Sequence, residues 1–160
     1  MRLERTFDVE LVRSVIGHPE IKPHVLEGDD VPVPLHDSIY YLVAREERFA
    51  DGAVEDDVVG MVGFLPVNSI AWNPHVAVLP RHRGRGTELM ALAMQWMFAN
   101  TQCRKLVAYP PVFNARMIRV FEKCGFEFEG RSPASFAWRG EIHDRMLMGA
   151  NKENFACGQA

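Results

Sequence analysis

The chain has 160 residues, a length that favours one domain with a substantial core. Hydrophobic residues make up 48% of it and charged residues 24%, which is typical of a globular protein and argues against collagen-like, disordered and membrane-spanning classes. The net charge of −3 argues against a protein that wraps duplex nucleic acid, although it is compatible with a small basic site.

The cysteines and histidines predict neither a disulfide framework nor a metal site. The three cysteines are odd in number and contain no C-x-x-C pair. The histidines show no ligand spacing, so we expect no metal. Cysteines without a disulfide framework fit a reducing compartment, and the start of the chain lacks the apolar core of a secretory signal. We therefore expect a cytoplasmic protein.

Two helices and a loop are predicted at the start of the chain. Apolar residues at helical spacing predict a helix over 8–16, with Asp8 as its N-cap. A second short helix is predicted over about 19–26. Glycine, aspartates and prolines then indicate a loop over 28–34.

Two strands follow, joined by a charged segment. Aromatic and β-branched residues predict a strand over 38–45, and an apolar run predicts another over 58–67. The charged segment 46–57 contains Asp-Gly and predicts a long hairpin connection. A solvated surface loop is the favoured interpretation of this segment, and an acceptor-docking loop is the alternative.

The middle of the chain alternates strands and helices. A strand is predicted over 71–79, a largely buried helix over 88–99 and a short strand over 105–109. Asn114 then caps a helix with apolar residues at i, i+3, i+4 and i+7. That helix ends at Gly125, which supplies a left-handed C′ position.

The last third predicts two strands and a tail. The strands span 126–130 and 142–148, and residues 151–160 are expected to form a flexible tail after a single domain over 1–150. Between the strands, segment 135–138 either lines an acceptor groove or covers the core. The order of elements predicts an α/β fold with helices packed on a mixed sheet.

Residues 76–87 contain the strongest functional signal, because a strand ends, a loop with two glycines turns and a long helix begins. The N–H groups and dipole of a helix N-terminus favour an anion. Gly84 and Gly86 would let the backbone approach a phosphate, and the neighbouring basic residues add attraction. The loop is no Walker or dinucleotide motif, because no Gly-Lys-Ser/Thr follows and Leu89 replaces the third glycine. A tight turn with a chance cluster of arginines is the structural alternative.

Two motifs in this order resemble the GNAT N-acetyltransferases. Arg81-x-x-Gly84-x-Gly86 matches the pyrophosphate loop of that family, and 28 residues after Gly86 the segment from Asn114 to Phe126 resembles its second signature. Segment 129–131 and Asp144 are similar to the branch that acetylates N-termini of ribosomal proteins. Segments 75–84 and 111–114 are also similar to small phage-encoded GNAT-like proteins, some of them head-assembly or virion proteins.

The resemblance implies a fold, a cosubstrate and contact residues. The fold is the GNAT acyl-CoA N-acyltransferase fold, with a mixed, mostly antiparallel sheet flanked by helices, and the cosubstrate is acetyl-CoA or another acyl-CoA. The N–H groups of residues 83–87 would hold the pyrophosphate, and the pantetheine would pair with the strand before the loop. The implied contact residues are Ala77, Val78, Arg81, His82, Arg83, Gly84, Arg85, Gly86, Thr87, Asn114 and Phe121.

The sequence departs from the family pattern at Phe121. Many GNAT enzymes have a tyrosine there, whose hydroxyl protonates the leaving thiolate, whereas phenylalanine has no proton to donate. Two residues are candidates for the base that deprotonates the amine, namely His75 in the strand before the loop and Tyr109 at the end of the next strand. The structural alternative for His75 is a hydrogen-bonded strand residue. For Tyr109 it is a packing residue.

Three functions therefore follow from the sequence. The favoured one is an N-acetyltransferase that acts on a primary amine, either a small molecule or a protein N-terminus, by direct attack in a ternary complex. The second is a non-catalytic GNAT-like binding protein, with virion proteins as partners. The third, a nucleic-acid-binding module, is disfavoured by the net charge. The acceptor stays open, and so does the oligomeric state, with a homodimer among the options.

Overall fold

The computed structural model describes residues 1–25, 32–50 and 52–157. Their elements, in chain order, are β1 (Arg2–Thr6), α1 (Val9–Ile16), α2 (Lys22–Val25), β2 (Tyr40–Ala50), β3 (Ala53–Pro66), β4 (Ala71–Val78), a 3₁₀ turn (Pro80–His82), α3 (Gly86–Asn100), β5 (Lys105–Ala108), α4 (Ala115–Lys123), β6 (Glu127–Trp138), β7 (Glu141–Asn151) and α5 (Lys152–Cys157). Most of the loop predicted over 28–34 lies outside the described residues.

Within the described residues, seven strands form one sheet in the order β1-β2-β3-β4-β5-β7-β6. Strand β4 runs parallel to β5, whereas β1–β2, β2–β3, β5–β7 and β6–β7 are antiparallel. The predicted α/β fold with a mixed, mostly antiparallel sheet is therefore confirmed. None of the helices in these residues is long and apolar enough to cross a membrane.

The chain divides into two compact units, each described by itself below. Unit 1 comprises Met1–Phe64 and His75–Ala93, and unit 2 comprises Leu65–Pro74 and Met94–Ala160. The single domain over 1–150 stays a prediction.

Unit 1 has its own apolar core, formed by α1 and the strands beside it. Asp8 caps α1 as predicted, because its carboxylate accepts from the N–H of Leu11 at 3.0 Å. The core residues include Val12, Val15, Tyr41, Val43, Met61 and Leu79, all buried. Strand β1 was missed, because it is short, strongly charged and carries a single apolar side chain, Leu3.

The prediction of a long loop over 46–57 is wrong. Strands β2 and β3 continue through this segment as one hairpin, with Glu46 opposite Asp57 and Phe49 opposite Val54. At the turn, Gly52 has φ +80°, a backbone conformation that favours glycine. The strand pattern was hidden because both faces of this part of the hairpin carry charged residues, two of which, Glu46 and Asp57, pair with basic residues after β4.

Unit 2 ends in a hairpin much longer than predicted. The strands expected over 126–130 and 142–148 extend to Trp138 and Asn151. A bulge between Ser132 and Phe136 interrupts their register, and Ala134 adopts φ +47° within it. Segment 135–138 therefore belongs to β6 rather than to a connection between strands.

The flexible tail predicted after residue 150 is a strand end and a short helix up to Cys157. Phe155 of α5 packs on Phe98 of α3, with ring centroids 5.4 Å apart. Lys152 also donates to the carbonyl oxygen of Phe98 at 2.5 Å. Residues 158–160 lie outside the described residues.

Candidate functional site

The loop between β4 and α3 has the geometry of an anion site. The 3₁₀ turn leads to Gly84, whose φ of +97° favours glycine and whose missing side chain faces open space. Helix α3 begins at Gly86, and the N–H of Leu89 donates to the carbonyl of Arg85 at 3.0 Å. The N–H groups of Gly86 and Thr87 belong to the first turn, where a helix favours negative charge. These features fit a pyrophosphate.

Every basic side chain of this loop contacts a carboxylate from outside the 81–86 segment. Arg81 and His82 bind Asp57, and Arg83 binds Glu20. Arg85 binds Glu46 at 2.5 Å and Glu88 at 3.0 Å. The positive charge predicted to attract an anion at long range is thus largely compensated in this structure. Backbone N–H groups and the helix dipole remain as attraction.

The carboxylates of Glu46 and Asp57 are held ionised by these contacts. The hydrogen bond from Arg85 lowers the pKa of Glu46, outweighing the opposing effect of desolvation. For Asp57, desolvation acts to raise the pKa, but the hydrogen bonds from Arg81 and His82 outweigh it, so the pKa lies below its ordinary range. Both groups are therefore anionic at neutral pH.

Sequence reasoning missed Glu46 and Asp57 as part of this site. Both were assigned to a solvated loop, and they lie 39 and 24 residues away from Arg85 and Arg81 in the chain. One signal was available, because four basic residues within five positions attract carboxylates from elsewhere in the chain. Nothing in the sequence indicates which carboxylates do so.

Strand β4 carries three further predicted site residues, all in unit 1. Ala77 is buried and its carbonyl oxygen lies so close to Gly60 that a Cβ added to this glycine would clash with it. Val78 is half-buried at the end of the strand. Solvent reaches the side chain of His75, yet enough protein surrounds it that desolvation lowers its pKa. His75 is consequently neutral at pH 7 and able to accept a proton.

The second motif lies in unit 2 and has the predicted caps. The side chain of Asn114 accepts from the N–H of Met117 at 3.1 Å. At the other end Gly125 has φ +84°, and the N–H of Phe126 donates to the carbonyl of Phe121 at 3.0 Å. Phe121 is only 3% exposed and its ring packs on Phe126, with centroids 4.8 Å apart.

Tyr109 lies where the chain leaves β5 and runs along β7. Main-chain bonds join this segment to β7, since Val112 donates to the carbonyl of Asp144 at 3.0 Å and Met146 donates to that of Pro110 at 2.9 Å. The ring of Tyr109 faces the guanidinium of Arg145 at 5.6 Å. These contacts fix the main-chain path that leads from Tyr109 to Asn114.

An aromatic cluster covers the same part of unit 2. Phe113 stacks on Trp138 with centroids 4.8 Å apart and meets the edge of His143 at 4.6 Å. Beside the cluster, Asp144 accepts hydrogen bonds from Arg131 and from the N–H of Ala134 in the bulge of β6. These two bonds lower the pKa of Asp144, with the Ala134 N–H as the larger influence. The covering role of segment 135–138 fits this packing, and its acceptor role stays a prediction.

Among the residues that the structure describes, no group of three or more histidines, cysteines, aspartates and glutamates is placed to hold a metal ion. Cys103 and Cys124 are buried thiols outside any disulfide, and burial raises the pKa of each to about 11. They are therefore neutral packing residues at physiological pH.

A family model described as the acetyltransferase (GNAT) family matches residues 19–126, which is more than half of the chain. The chain therefore belongs to the GNAT acetyltransferase family. The match includes the loop at 81–86 and the helix that Asn114 caps, so both motifs identified in the sequence fall inside it.

Two curated relatives resemble the chain in sequence. The spermidine N(1)-acetyltransferase of Vibrio cholerae is 25% identical over 103 residues, covering 62% of this chain and 60% of the relative. The SPbeta prophage-derived uncharacterized N-acetyltransferase YokL of Bacillus subtilis is 26% identical over 117 residues, covering 69% of this chain and 66% of the relative. The matches thus span less than two thirds of these relatives. The prophage relative agrees with the resemblance to phage-encoded GNAT-like proteins.

Solved structures confirm the fold. A crystal structure of the spermidine N-acetyltransferase of Vibrio cholerae in complex with CoA and spermine superposes with a TM-score of 0.76 at 19% identity, covering 97% of each chain. A mutant of the same enzyme superposes with a TM-score of 0.78 at 16% identity, covering 100% of each chain. At this identity the likeness shows the shared GNAT fold.

Proposed function

We propose that this chain is an acyl-CoA-dependent N-acetyltransferase that transfers an acetyl group to a primary amine. The single observation that carries the proposal is the loop at 81–86, where Gly84 at positive φ leads into the N-terminus of α3. Family membership supports acetyl-CoA as the cosubstrate. A non-catalytic virion protein is disfavoured, because the relatives' names are those of acetyltransferases.

The proposed acceptor is a polyamine such as spermidine or spermine. A relative in Vibrio cholerae is named for spermidine, and a solved structure with the same fold contains CoA and spermine. The net charge of −3 gives a weak overall attraction for a polycation. A protein N-terminus is the competing acceptor, because the segment at 129–131 resembles the branch that acetylates ribosomal proteins.

The proposed mechanism assigns binding and proton transfer to different residues. Acyl-CoA, when bound, supplies the activated acyl group. Within residues 83–87 the N–H groups of Gly84 and Gly86 are the main candidates to hold its pyrophosphate, because those of Arg83 and Arg85 already donate to main-chain carbonyls at 3.2 Å and 3.3 Å. The backbone at Ala77 and Val78 would orient the pantetheine arm. Asn114 contributes its side-chain amide to the pantetheine as well as capping α4. Phe121 has no proton to give, so the thiolate leaves without help from this position.

His75 is the proposed base. A primary amine with a pKa near that of lysine, about 10.4, is almost fully protonated at pH 7, so it must first lose a proton to attack with its lone pair. Its nitrogen then becomes more acidic as the new C–N bond forms, and a second proton must leave. A neutral imidazole can take the proton at that stage. Because desolvation lowers its pKa, His75 stays neutral down to a pH below its ordinary value of about 6.5. Tyr109, whose ring faces Arg145, is the alternative.

A binding assay and a turnover assay test the proposal. Acetyl-CoA should raise the melting temperature, and the free thiol should appear faster with spermidine than with an N-terminal peptide. Absence of any stabilisation by acetyl-CoA would reject acetyl-CoA as the cosubstrate. Stabilisation without turnover of any amine would reject the proposed enzymatic activity.

The pH profile tests the base separately. We expect His75→Gln to lower kcat by about 10²-fold and to remove the acidic limb of the rate profile, which should lie below pH ~6.5 in the parent protein. Tyr109→Phe is the matched control and should keep that limb. If Tyr109→Phe removes it instead, the base has been assigned to the wrong residue.

The lowered pKa of His75 also affects stability. Because His75 binds fewer protons in the folded protein than in the unfolded chain, its contribution to stability is present above pH ~6.5 and lost as the pH falls.

A further inference from the structure

Glu46 and Asp57 form a pair of like charges in unit 1. Basic side chains of the 81–86 loop compensate this pair. The two residues lie directly opposite each other in the β2–β3 hairpin. Like charges in directly opposed positions destabilise an antiparallel pair. A hairpin needs no carboxylates here for its own pairing, so their presence points to a role in contacting another segment.

The side chains of the loop interleave with this pair. His82 inserts between the two carboxylates, with Nε2 2.9 Å from Asp57 and Nδ1 3.7 Å from Glu46. A carboxylate can only accept, so a hydrogen bond from His82 to Asp57 requires the tautomer that carries the proton on Nε2. Arg81 binds the far side of Asp57, and Arg85 binds Glu46 and then Glu88. The result is one row in which basic side chains alternate with carboxylates, in the order Arg81, Asp57, His82, Glu46, Arg85, Glu88.

Main-chain contacts join the same two segments. The register of the hairpin shifts beside Arg45, which leaves Val59 as an extra residue on β3. The carbonyl of Val59 accepts from the N–H of Leu79 at 3.0 Å, at the start of the loop. The carbonyl of Val58 accepts from Arg81 at 3.1 Å. The loop is thus anchored at its entry by backbone and along its length by the two carboxylates.

We propose that Glu46 and Asp57 are positioning residues that hold the 81–86 loop in the conformation that binds the pyrophosphate of acyl-CoA. This proposal rests on the proposed function. Arg81, His82 and Arg85 are then fixed by the hairpin rather than free to reach the ligand. Arg83 differs from them, because it and its partner Glu20 are 57% and 52% exposed. Such a pair contributes little to stability, so Arg83 can exchange its carboxylate for a phosphate.

Calorimetry with acetyl-CoA on the full chain tests the positioning role. Asp57→Asn and Glu46→Gln should each weaken acetyl-CoA binding by about tenfold, the size expected for a lost charge-assisted hydrogen bond. Asp57→Glu keeps the charge and should restore part of the affinity. Asp56→Asn is the matched control, because Asp56 is a neighbouring carboxylate that pairs with Arg45 rather than with the loop. It should leave the affinity unchanged.

Steady-state kinetics separates positioning from a general loss of structure. In the Asp57 and Glu46 variants the KM for acetyl-CoA should rise while kcat and the KM for the amine stay near those of the parent. Equal affinity in Asp57→Asn and Asp56→Asn would overturn the positioning role, and so would a parallel loss of kcat and amine affinity. If the parent protein itself fails to bind acetyl-CoA, the proposed function is rejected and the positioning role with it.

Discussion

The two motifs of this GNAT chain are built in opposite ways. The helix from Asn114 to Gly125 has caps formed by local hydrogen bonds. Its N-cap bond spans three residues and its C-terminal bond spans five. The loop at 81–86 depends on carboxylates 24, 39 and 63 residues away from its arginines. One motif is therefore stabilised locally, and the other is stabilised only when unit 1 has folded.

This difference matters for function. A locally capped helix keeps its end geometry with little help from its surroundings. A loop held by a row of basic side chains and carboxylates responds instead to changes in any member of the row, because removing one partner leaves the next side chain without its contact. Cosubstrate affinity should accordingly be more sensitive to residues outside the loop than the helix is to residues outside its caps.

The largest effect is expected at the glycines of the loop. In Gly84→Leu/Gly86→Leu, acetyl-CoA binding should fall by at least about 10²-fold. Strain at the positive φ of Gly84 costs about 1–3 kcal/mol, and a side chain in the open space beside it would compete with the proposed phosphate. Calorimetry measures the loss, and a lower affinity at higher salt should accompany binding in the parent.

Gly52→Leu is the control for this variant. Gly52 has φ +80° and open space around it, as Gly84 does, but lies in the hairpin turn. The Gly52→Leu variant should be less stable than the parent protein and should keep its affinity for acetyl-CoA. Unchanged affinity in the double variant would remove the loop from the cosubstrate site.

A second test concerns the one departure of the helical motif from its family. If Phe121 lines the channel beside the sulfur of the thioester, Phe121→Tyr should raise kcat by up to about 10²-fold, because the new hydroxyl can protonate the thiolate. Phe126→Tyr is the control, since this ring is equally buried and lies 4.8 Å away. It should bring no gain.

Three outcomes of the Phe121 test are informative. A gain confined to Phe121→Tyr places the thiolate beside this residue. A background rate in both variants favours a protein without catalysis. Loss of an existing activity in Phe121→Tyr at unchanged stability would show that the thiolate is protonated from another direction.

The smallest expected effect is at the helix cap. Asn114→Ala should lower the free energy of unfolding by about 0.5–2 kcal/mol through the lost N-cap bond. Asp8→Ala removes the corresponding cap of α1 and is the control for capping alone. If Asn114 also meets the pantetheine, its variant should lose more affinity for acetyl-CoA than for 3′-phosphoadenosine diphosphate, which lacks that arm. An equal loss for both ligands leaves Asn114 with the cap alone.

The sequence was most informative where interactions are short in range. The caps of α1 and α4, the left-handed Gly125 and the glycine loop before α3 were all predicted and are confirmed. The motif order also indicated the GNAT family, which the family match shows. The roles of His75, Tyr109 and the individual loop residues toward acyl-CoA stay predictions.

The sequence by itself thus determined the caps of α1 and α4, the family and the position of the glycine loop before α3, because each depends on residues within about one helical turn or on a fixed spacing. Only the tertiary structure decided that segment 46–57 is a hairpin, that β6 and β7 are long and bulged, and that α5 packs on α3. It also decided which carboxylates compensate the arginines of the loop. The physical reason is that a charge or a strand edge is satisfied by whichever partner the fold brings near it, and local composition does not specify that partner.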